Sequence, residues 1–83
     1  MQNIARTPKQ IGDALRRQRK ALNLTQAMIR NKTSLRQSTV SALEAGEEGV
    51  KLRTLFDILT ALDLEMVIRP RTKANPKDIE DIF

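Results

Sequence analysis

The sequence predicts a small all-α domain, a compact bundle of four to five short helices, with one β-strand near the C-terminus. Apolar residues recur at helical spacing over most of residues 8–62, threonines precede two of these stretches, and only residues 64–69 are rich in β-formers. A chain of 83 residues is long enough for one domain. Because it has no Cys and no His, disulfides and the common zinc sites are excluded, and a second subunit is the usual remaining source of stability.

The first two helices are predicted from their end signals. Thr7 is a suitable N-cap with Pro8 at the first helical position, and Asn23 suits a left-handed end. The second helix follows the N-cap Thr25 and is short, because 33–34 is predicted to be a turn. The residues that recur at helical spacing along the first helix are Ile11, Ala14, Leu15, Gln18 and Leu22.

The third helix is predicted from about Gln37 to Ala45, with Val40 and Leu43 facing inward and Gly46 ending it. The fourth is predicted to run from about residue 52 to 62. Its apolar face is expected to contain Leu52, Leu55, Phe56, Leu59 and Leu62.

The predicted strand, at about 64–69, is bounded by Pro70. A single strand leaves its backbone groups unpaired, and no other stretch of the sequence is predicted to be a strand. We therefore expect it to pair with the same strand of a second copy around a two-fold axis. The alternative is an extended segment packed on the helices. The residues assigned to the dimer strand are Leu64, Met66, Val67 and Ile68.

The predicted organisation is one domain over residues 1–69 and a flexible tail over 70–83 that contains two prolines within a polar stretch. The end of the tail mixes acidic residues with Ile79, Ile82 and Phe83, which suggests a peptide that binds in a groove of a partner protein. The alternative is a frayed terminus in which Phe83 covers the domain's own core.

The charge is unevenly distributed. Within a total of +5, residues 1–43 carry +8 and residues 74–83 carry −2. A basic N-terminal half favours a polyanionic partner, most simply nucleic acid, although a merely solvated surface is the alternative and is the preferred interpretation for Arg16, Arg17 and Lys20. With no membrane-length apolar run, no visible signal peptide and no cysteine, we expect a cytoplasmic, nucleoid-associated protein without a membrane partner.

Catalysis is disfavoured by the residue inventory. The chain has no His, Cys or Tyr to act as acid, base or nucleophile, and its three glycines form no phosphate-binding loop. The carboxylates show no pairing motif. We therefore predict no enzymatic activity, no cofactor and no metal site.

Residues 24–46 carry the most informative motif. It contains Thr25-Gln26, an apolar Ile29, an apolar Leu35, Thr39-Val40-Ser41 and the closing Glu44-x-Gly46. In order and spacing the segment resembles the helix-turn-helix of the phage-repressor-like (XRE) family, and the resemblance extends over roughly residues 9–64. It implies a helix-turn-helix within the bundle and a structural ion pair between Arg19 and Glu44.

The resemblance also implies that the third helix enters the major groove of DNA, where base edges are distinguishable. The residues expected to contact bases are Arg36, Gln37, Ser38 and Ala42. Gln37 suits adenine, and Arg36 suits guanine or phosphate. Those expected to contact phosphates are Thr25, Gln26, Thr39, Ser41, Lys51, Arg53 and Thr54. Thr25 is also expected to act as an N-cap.

Two positions depart from the family pattern. Arg30 stands where the family usually has a small residue, and it is expected to hinder close crossing of helices two and three unless its side chain extends outward. Ser34 stands where glycine is common, which is unfavourable if the turn needs a positive φ. Displacement or shortening of the second helix is the expected consequence.

The whole layout is most similar to HipB-type antitoxins, because a strand and a tail ending in an aromatic residue follow the domain. That resemblance implies a dimeric repressor that binds a palindromic operator and neutralises a HipA-like Ser/Thr kinase toxin. The alternatives are a stand-alone phage-type or restriction-control regulator and an adaptor acting mainly through its tail.

Overall fold

The computed structural model describes residues 4–71, and in this part of the chain it contains four α-helices. They are α1 (Pro8–Ala21), α2 (Gln26–Lys32), α3 (Gln37–Glu44) and α4 (Leu52–Ala61). The predicted all-α bundle is confirmed, with each helix within one or two residues of its expected bounds.

The predicted end signals explain where the first helices begin and end. Thr7 Oγ1 accepts a hydrogen bond from Gln10 N at 3.1 Å, and Thr25 Oγ1 accepts one from Met28 N at 3.1 Å. Each threonine thus satisfies an amide that its helix leaves without an intrahelical partner. Asn23 takes the expected left-handed conformation, with φ of 58°, and reverses the chain between α1 and α2.

The core lies where all four helices meet. Its buried apolar side chains are Leu15, Ile29, Val40, Leu43, Leu55, Ile58, Leu59 and Leu62. Within the predicted apolar face of α4, Leu52 is 70% exposed and Phe56 is 48% exposed, while Ile58, outside that face, is fully buried. Leu22, which follows α1, is 42% exposed. The apolar surface of α4 is therefore wider than its buried stripe.

Helices α1 and α3 cross at very short range through Gly12, which is buried in α1. A Cβ atom placed on Gly12 would lie 2.6 Å from the carbonyl oxygens of both Leu43 and Glu44. Only a residue without a side chain fits at this separation. This crossing fixes the end of α3 against α1.

The segment 64–71 contains no strand within the single chain. Leu64 packs against the core, whereas Met66, Val67 and Ile68 are 44%, 63% and 91% exposed. The strand predicted over 64–69 is thus not formed inside one subunit, and its pairing with a second copy stays a prediction. The predicted tail contacts of Ile79, Ile82 and Phe83 lie outside the described residues.

Candidate nucleic-acid interface

The arrangement of α2 and α3 is that of a helix-turn-helix. The buried side of α3 consists of Val40, Leu43 and Glu44, so the opposite side of this helix faces outward. The predicted base-contacting residues Arg36, Gln37 and Ser38 are all exposed at its N-terminal end. This end therefore presents a cation, an amide and a hydroxyl, which are the groups that read base edges in a major groove.

The remaining predicted contacts differ in exposure. Ala42 lies one turn beyond Ser38 and is half-buried, as are Thr39 on α3 and Thr54 on α4. Ser41, Lys51 and Arg53 are exposed. The exposed members therefore lie on α3, at the start of α4, where Lys51 is the N-cap residue, and at the start of α2, where Thr25 is the N-cap residue.

Arg19 and Glu44 form the predicted ion pair, which joins α1 to α3. Arg19 Nε donates to Glu44 Oε2 at 2.7 Å and Nη2 donates to Oε1 at 3.0 Å, a bidentate geometry. The two side chains are only 12% and 4% exposed. Arg19 Nη1 also donates to the Leu24 carbonyl at 2.8 Å, which ties the connection between α1 and α2 into the same cluster.

Three causes act on the pKa of Arg19. The hydrogen bonds from its guanidinium to Glu44 raise the pKa, partial burial lowers it, and the negative charge of Glu44 raises it. The net result is a pKa above the ordinary arginine value. Arg19 therefore stays charged at every pH near neutrality, and Glu44 always has a cationic partner.

Gln26 has a contact that sequence reasoning missed. Its Nε2 donates to Glu44 Oε1 at 3.3 Å, so Glu44 accepts hydrogen bonds from α1 and from α2 at once. The side-chain amide of Gln26 is thereby oriented at the beginning of α2 by a buried carboxylate on α3. The pairing of a Gln with a Glu 18 residues away has no local sequence signal, and only the fold brings them together.

Both departures from the family pattern are accommodated. Arg30 is exposed, so its side chain does not lie between α2 and α3. Ser34 is not among the residues with positive φ, which in the described chain are Asn23, Asp63, Gly46 and Gly49. The condition for a cost at Ser34, a positive φ, is therefore not met, since this turn needs no left-handed residue there. The α2 helix still extends over seven residues.

The outer side of α1 carries further charge outside the helix-turn-helix. Arg16, Arg17 and Lys20 are exposed, in agreement with the interpretation of a solvated face. Lys9 and Asp13 form an exposed ion pair at 3.0 Å on the same helix. Exposed pairs of this kind contribute little to stability, so this surface plays a minor part in holding the fold.

A short helix, a tight turn and a second helix with an exposed polar N-terminal end define a DNA-binding domain of the helix-turn-helix class. Residues 15–68 match the model of the family described as "Helix-turn-helix". Because this is a DNA-binding family rather than an enzyme family, the prediction of a non-enzymatic protein is confirmed.

The more specific relationship comes from individual proteins. The chain is 30% identical over 74 residues to the antitoxin HipB of Escherichia coli strain K12, covering 89% of this chain and 84% of that protein. It is also 30% identical to the HipB antitoxin of Escherichia coli O6:H1, covering 89% and 79% of the two chains. The chain therefore belongs to the helix-turn-helix family and, within it, to the HipB-type antitoxins.

Solved structures agree with this assignment. HipB in a HipA-HipB-O2-O3 complex is 29% identical and superposes with a TM-score of 0.77, over 87% of this chain and all of that one. HipB in complex with an O4 20mer is 29% identical with a TM-score of 0.78, again over 87% of this chain and all of that one. The relationship thus extends over nearly the whole length of these relatives.

Among residues 4–71, none of the helices is both long enough and apolar enough to cross a bilayer.

Proposed function

We propose that this protein is a sequence-specific DNA-binding repressor that binds a palindromic operator as a homodimer and acts as the antitoxin of a HipA-like Ser/Thr kinase toxin. The observation that carries the proposal is the exposed N-terminal end of α3, a helix whose last residue, Glu44, is anchored to α1 by its pair with Arg19. Support comes from the HipB relatives, which include a HipA complex and an operator-type DNA complex. The protein then works in the cytoplasm, associated with the nucleoid.

Base reading is assigned to the exposed end of α3. Gln37 can make paired hydrogen bonds to adenine, and Arg36 can do so to guanine or can bind phosphate. Ser38 can donate to or accept from a base edge, and the methyl group of Ala42 suits the methyl group of thymine. Arg36 is the N-cap residue of α3, and Gln37, Ser38 and Ala42 belong to the helix itself.

Phosphate binding is assigned to groups that flank this end. The Thr25 hydroxyl accepts from Met28 N and keeps its own hydrogen for a phosphate oxygen. Gln26 has a second amide hydrogen that its bond to Glu44 does not use. The net charge of +8 over residues 1–43 favours the same partner. The other candidates are Thr39, Ser41, Lys51, Arg53 and Thr54.

Dimer formation is assigned to the C-terminal part of the described chain. Most of the exposed large apolar side chains are there, and they comprise Leu52, Phe56, Met66, Val67 and Ile68. Burying them against a second copy removes apolar surface from water and gives the 64–69 segment a strand partner. A two-fold axis then places two α3 helices about 34–36 Å apart, one turn of DNA.

Gln37→Ala is expected to weaken operator binding by about tenfold or more while changing binding to random DNA less than about twofold, because a base contact acts only on the cognate sequence. Fluorescence anisotropy with both duplexes provides the measurement. Lys51→Ala is the matched control, since Lys51 is exposed and loss of a phosphate contact weakens both duplexes by a similar factor. An equal loss for Gln37→Ala on both duplexes would contradict its base-reading role.

Ile68→Asp is expected to convert the dimer to a monomer, because it places a charge within the proposed intersubunit strand pair. Light scattering measures the mass, and binding to a full operator should fall by more than about tenfold while half-site binding is retained. Asn31→Asp adds the same charge at an exposed position on α2, outside the proposed dimer surface, and serves as the control for the mass measurement. A monomeric wild-type protein that binds operator tightly would overturn the assignment.

Kinase binding separates the antitoxin from the two alternatives, a stand-alone regulator and a tail-based adaptor. The tail residues Ile79, Ile82 and Phe83 are proposed as the toxin-binding segment, which combines acidic and apolar side chains. Co-purification of a HipA-like kinase with the full chain from its native cell supports the antitoxin. Co-purification of a different protein with no operator binding favours the adaptor.

A further inference from the structure

The recognition helix α3 begins in a different way from the two helices before it. Helices α1 and α2 each have a threonine N-cap whose hydroxyl accepts a backbone hydrogen bond, whereas Arg36 at the start of α3 makes no side-chain capping bond. An uncapped N-terminus frays more easily and has a less fixed direction. The direction of the first turn of α3 therefore depends on the turn that precedes it, because the buried contacts of Leu43 and Glu44 hold the other end of the helix.

Thr33 is the residue that closes this turn. Its Oγ1 donates to the Ile29 carbonyl at 2.9 Å and accepts from Leu35 N at 3.1 Å. Its backbone N–H also donates to the Ile29 carbonyl at 3.1 Å. The Thr33 hydroxyl thus joins Ile29, in the last turn of α2, to Leu35, the residue before the N-cap of α3.

Both ends of this hydroxyl bridge are themselves fixed. Ile29 is fully buried, and Leu35 is half-buried and packs against the core. No residue in the turn 33–36 has a positive φ, so the chain direction changes here without a left-handed residue. Thr33 forms an ST-turn, which changes the chain direction by a hydrogen bond that its hydroxyl accepts, so that no glycine with positive φ is needed here.

We propose that Thr33 is a positioning residue for sequence-specific recognition: its hydroxyl sets the angle between α2 and α3 and thereby the placement of Arg36, Gln37 and Ser38 against base edges. This inference rests on the proposed DNA-binding function. Base-edge hydrogen bonds are strongly directional, whereas contacts to a continuous line of phosphates tolerate small displacements. Thr33 therefore affects specificity more than general DNA affinity, although it is not among the residues proposed to contact DNA.

The test compares Thr33→Val, which keeps the shape and removes the hydroxyl, with Thr33→Ser, which keeps the hydroxyl. Anisotropy titrations with operator and random duplexes are made well below the melting temperature of each variant. For Thr33→Val we expect operator affinity to fall about tenfold and random-DNA affinity less than about twofold, so that the specificity ratio falls. Thr33→Ser should retain a ratio of operator to random-DNA affinity within about twofold of wild type.

Three outcomes would overturn the proposal. One is a folded Thr33→Val with a lower Tm and an unchanged specificity ratio, which makes Thr33 purely structural. The second is an equal loss of affinity of Thr33→Val for the operator and random duplexes. The third is a specificity ratio of Thr33→Ser that falls as far as that of Thr33→Val. If Thr33→Val does not fold, the test uses Thr33→Ser instead, and hydrogen exchange measures the protection of the Leu35 amide in this variant and in the wild type. If the two proteins protect this amide equally but differ in their specificity ratio, the proposal is also contradicted. If the wild type itself shows no preference for operator, the proposed function fails rather than the role of Thr33.

Discussion

Glu44→Ala is expected to lower the free energy of unfolding by about 3–5 kcal/mol, enough to unfold much of a domain of this size at room temperature. The substitution leaves the Arg19 guanidinium in a site where only 12% of its side chain is exposed, with no carboxylate to neutralise it. It also removes the acceptor of the Gln26 amide and so releases the link between α2 and α3. Urea unfolding followed by circular dichroism gives the measurement.

The exposed pair on α1 provides the matched control. Asp13→Ala breaks a pair with the same kind of charges and a similar length, 3.0 Å between Lys9 Nζ and Asp13 Oδ1, but both partners are substantially exposed. Its expected effect is below about 1 kcal/mol because water screens the charges. The double variant Arg19→Met, Glu44→Leu should regain part of the stability lost in Glu44→Ala, since no charge is left unpaired. Equal effects of Glu44→Ala and Asp13→Ala would show that burial does not decide the strength of this pair.

The helices could be predicted from the sequence because their signals are local. Thr7 and Thr25 are followed at short range by the amides they accept from, and Asn23 adopts the left-handed conformation that its side chain tolerates. Such signals depend on a few neighbouring residues and on no distant contact. The positions of the helix ends are therefore the most reliable part of the prediction.

The buried face of α4 could be predicted only in part. Apolar periodicity gives the apolar side of a helix, but it does not say which half of a wide apolar surface meets the same chain and which half meets another molecule. Leu52 and Phe56 lie at the edge of that surface and are exposed, while Ile58 lies on its other side and is buried. A chain that forms a dimer misleads this kind of prediction where the interface adjoins the core.

The candidate site likewise contains contacts that could be predicted from the sequence and contacts that could not. The pair between Arg19 and Glu44 was expected from the family resemblance, and the structure contains it. The bond from Gln26 to that glutamate and the hydroxyl bridge of Thr33 were not expected. They depend on how three helices are placed relative to one another, and a pattern along one helix carries no information on this.

Gly12 is a further residue whose role only the packing reveals, although a glycine inside a helix is itself a signal of close approach. Glycine is normally the poorer helix former, so Gly→Ala at an exposed helical position stabilises by about 1 kcal/mol. We expect the opposite sign here, with Gly12→Ala lowering the free energy of unfolding by about 2 kcal/mol. The new methyl group would lie 2.6 Å from the carbonyl oxygens of Leu43 and Glu44, and backbone atoms cannot rotate away as a flexible side chain can.

Arg16, an exposed residue one turn further along α1, gives the control that isolates this effect. At that position Arg16→Ala should be more stable than Arg16→Gly by about 1 kcal/mol, the ordinary helical preference. At position 12 the order of alanine and glycine should be reversed, and thermal unfolding of the four proteins measures both differences. Because the atoms that would be displaced belong to the last turn of α3, Gly12→Ala should also move Glu44 away from Arg19 and weaken operator binding. An increase in Tm for Gly12→Ala would mean that α1 and α3 do not cross at this distance, and the Arg19–Glu44 pair would then be the main link between the two helices.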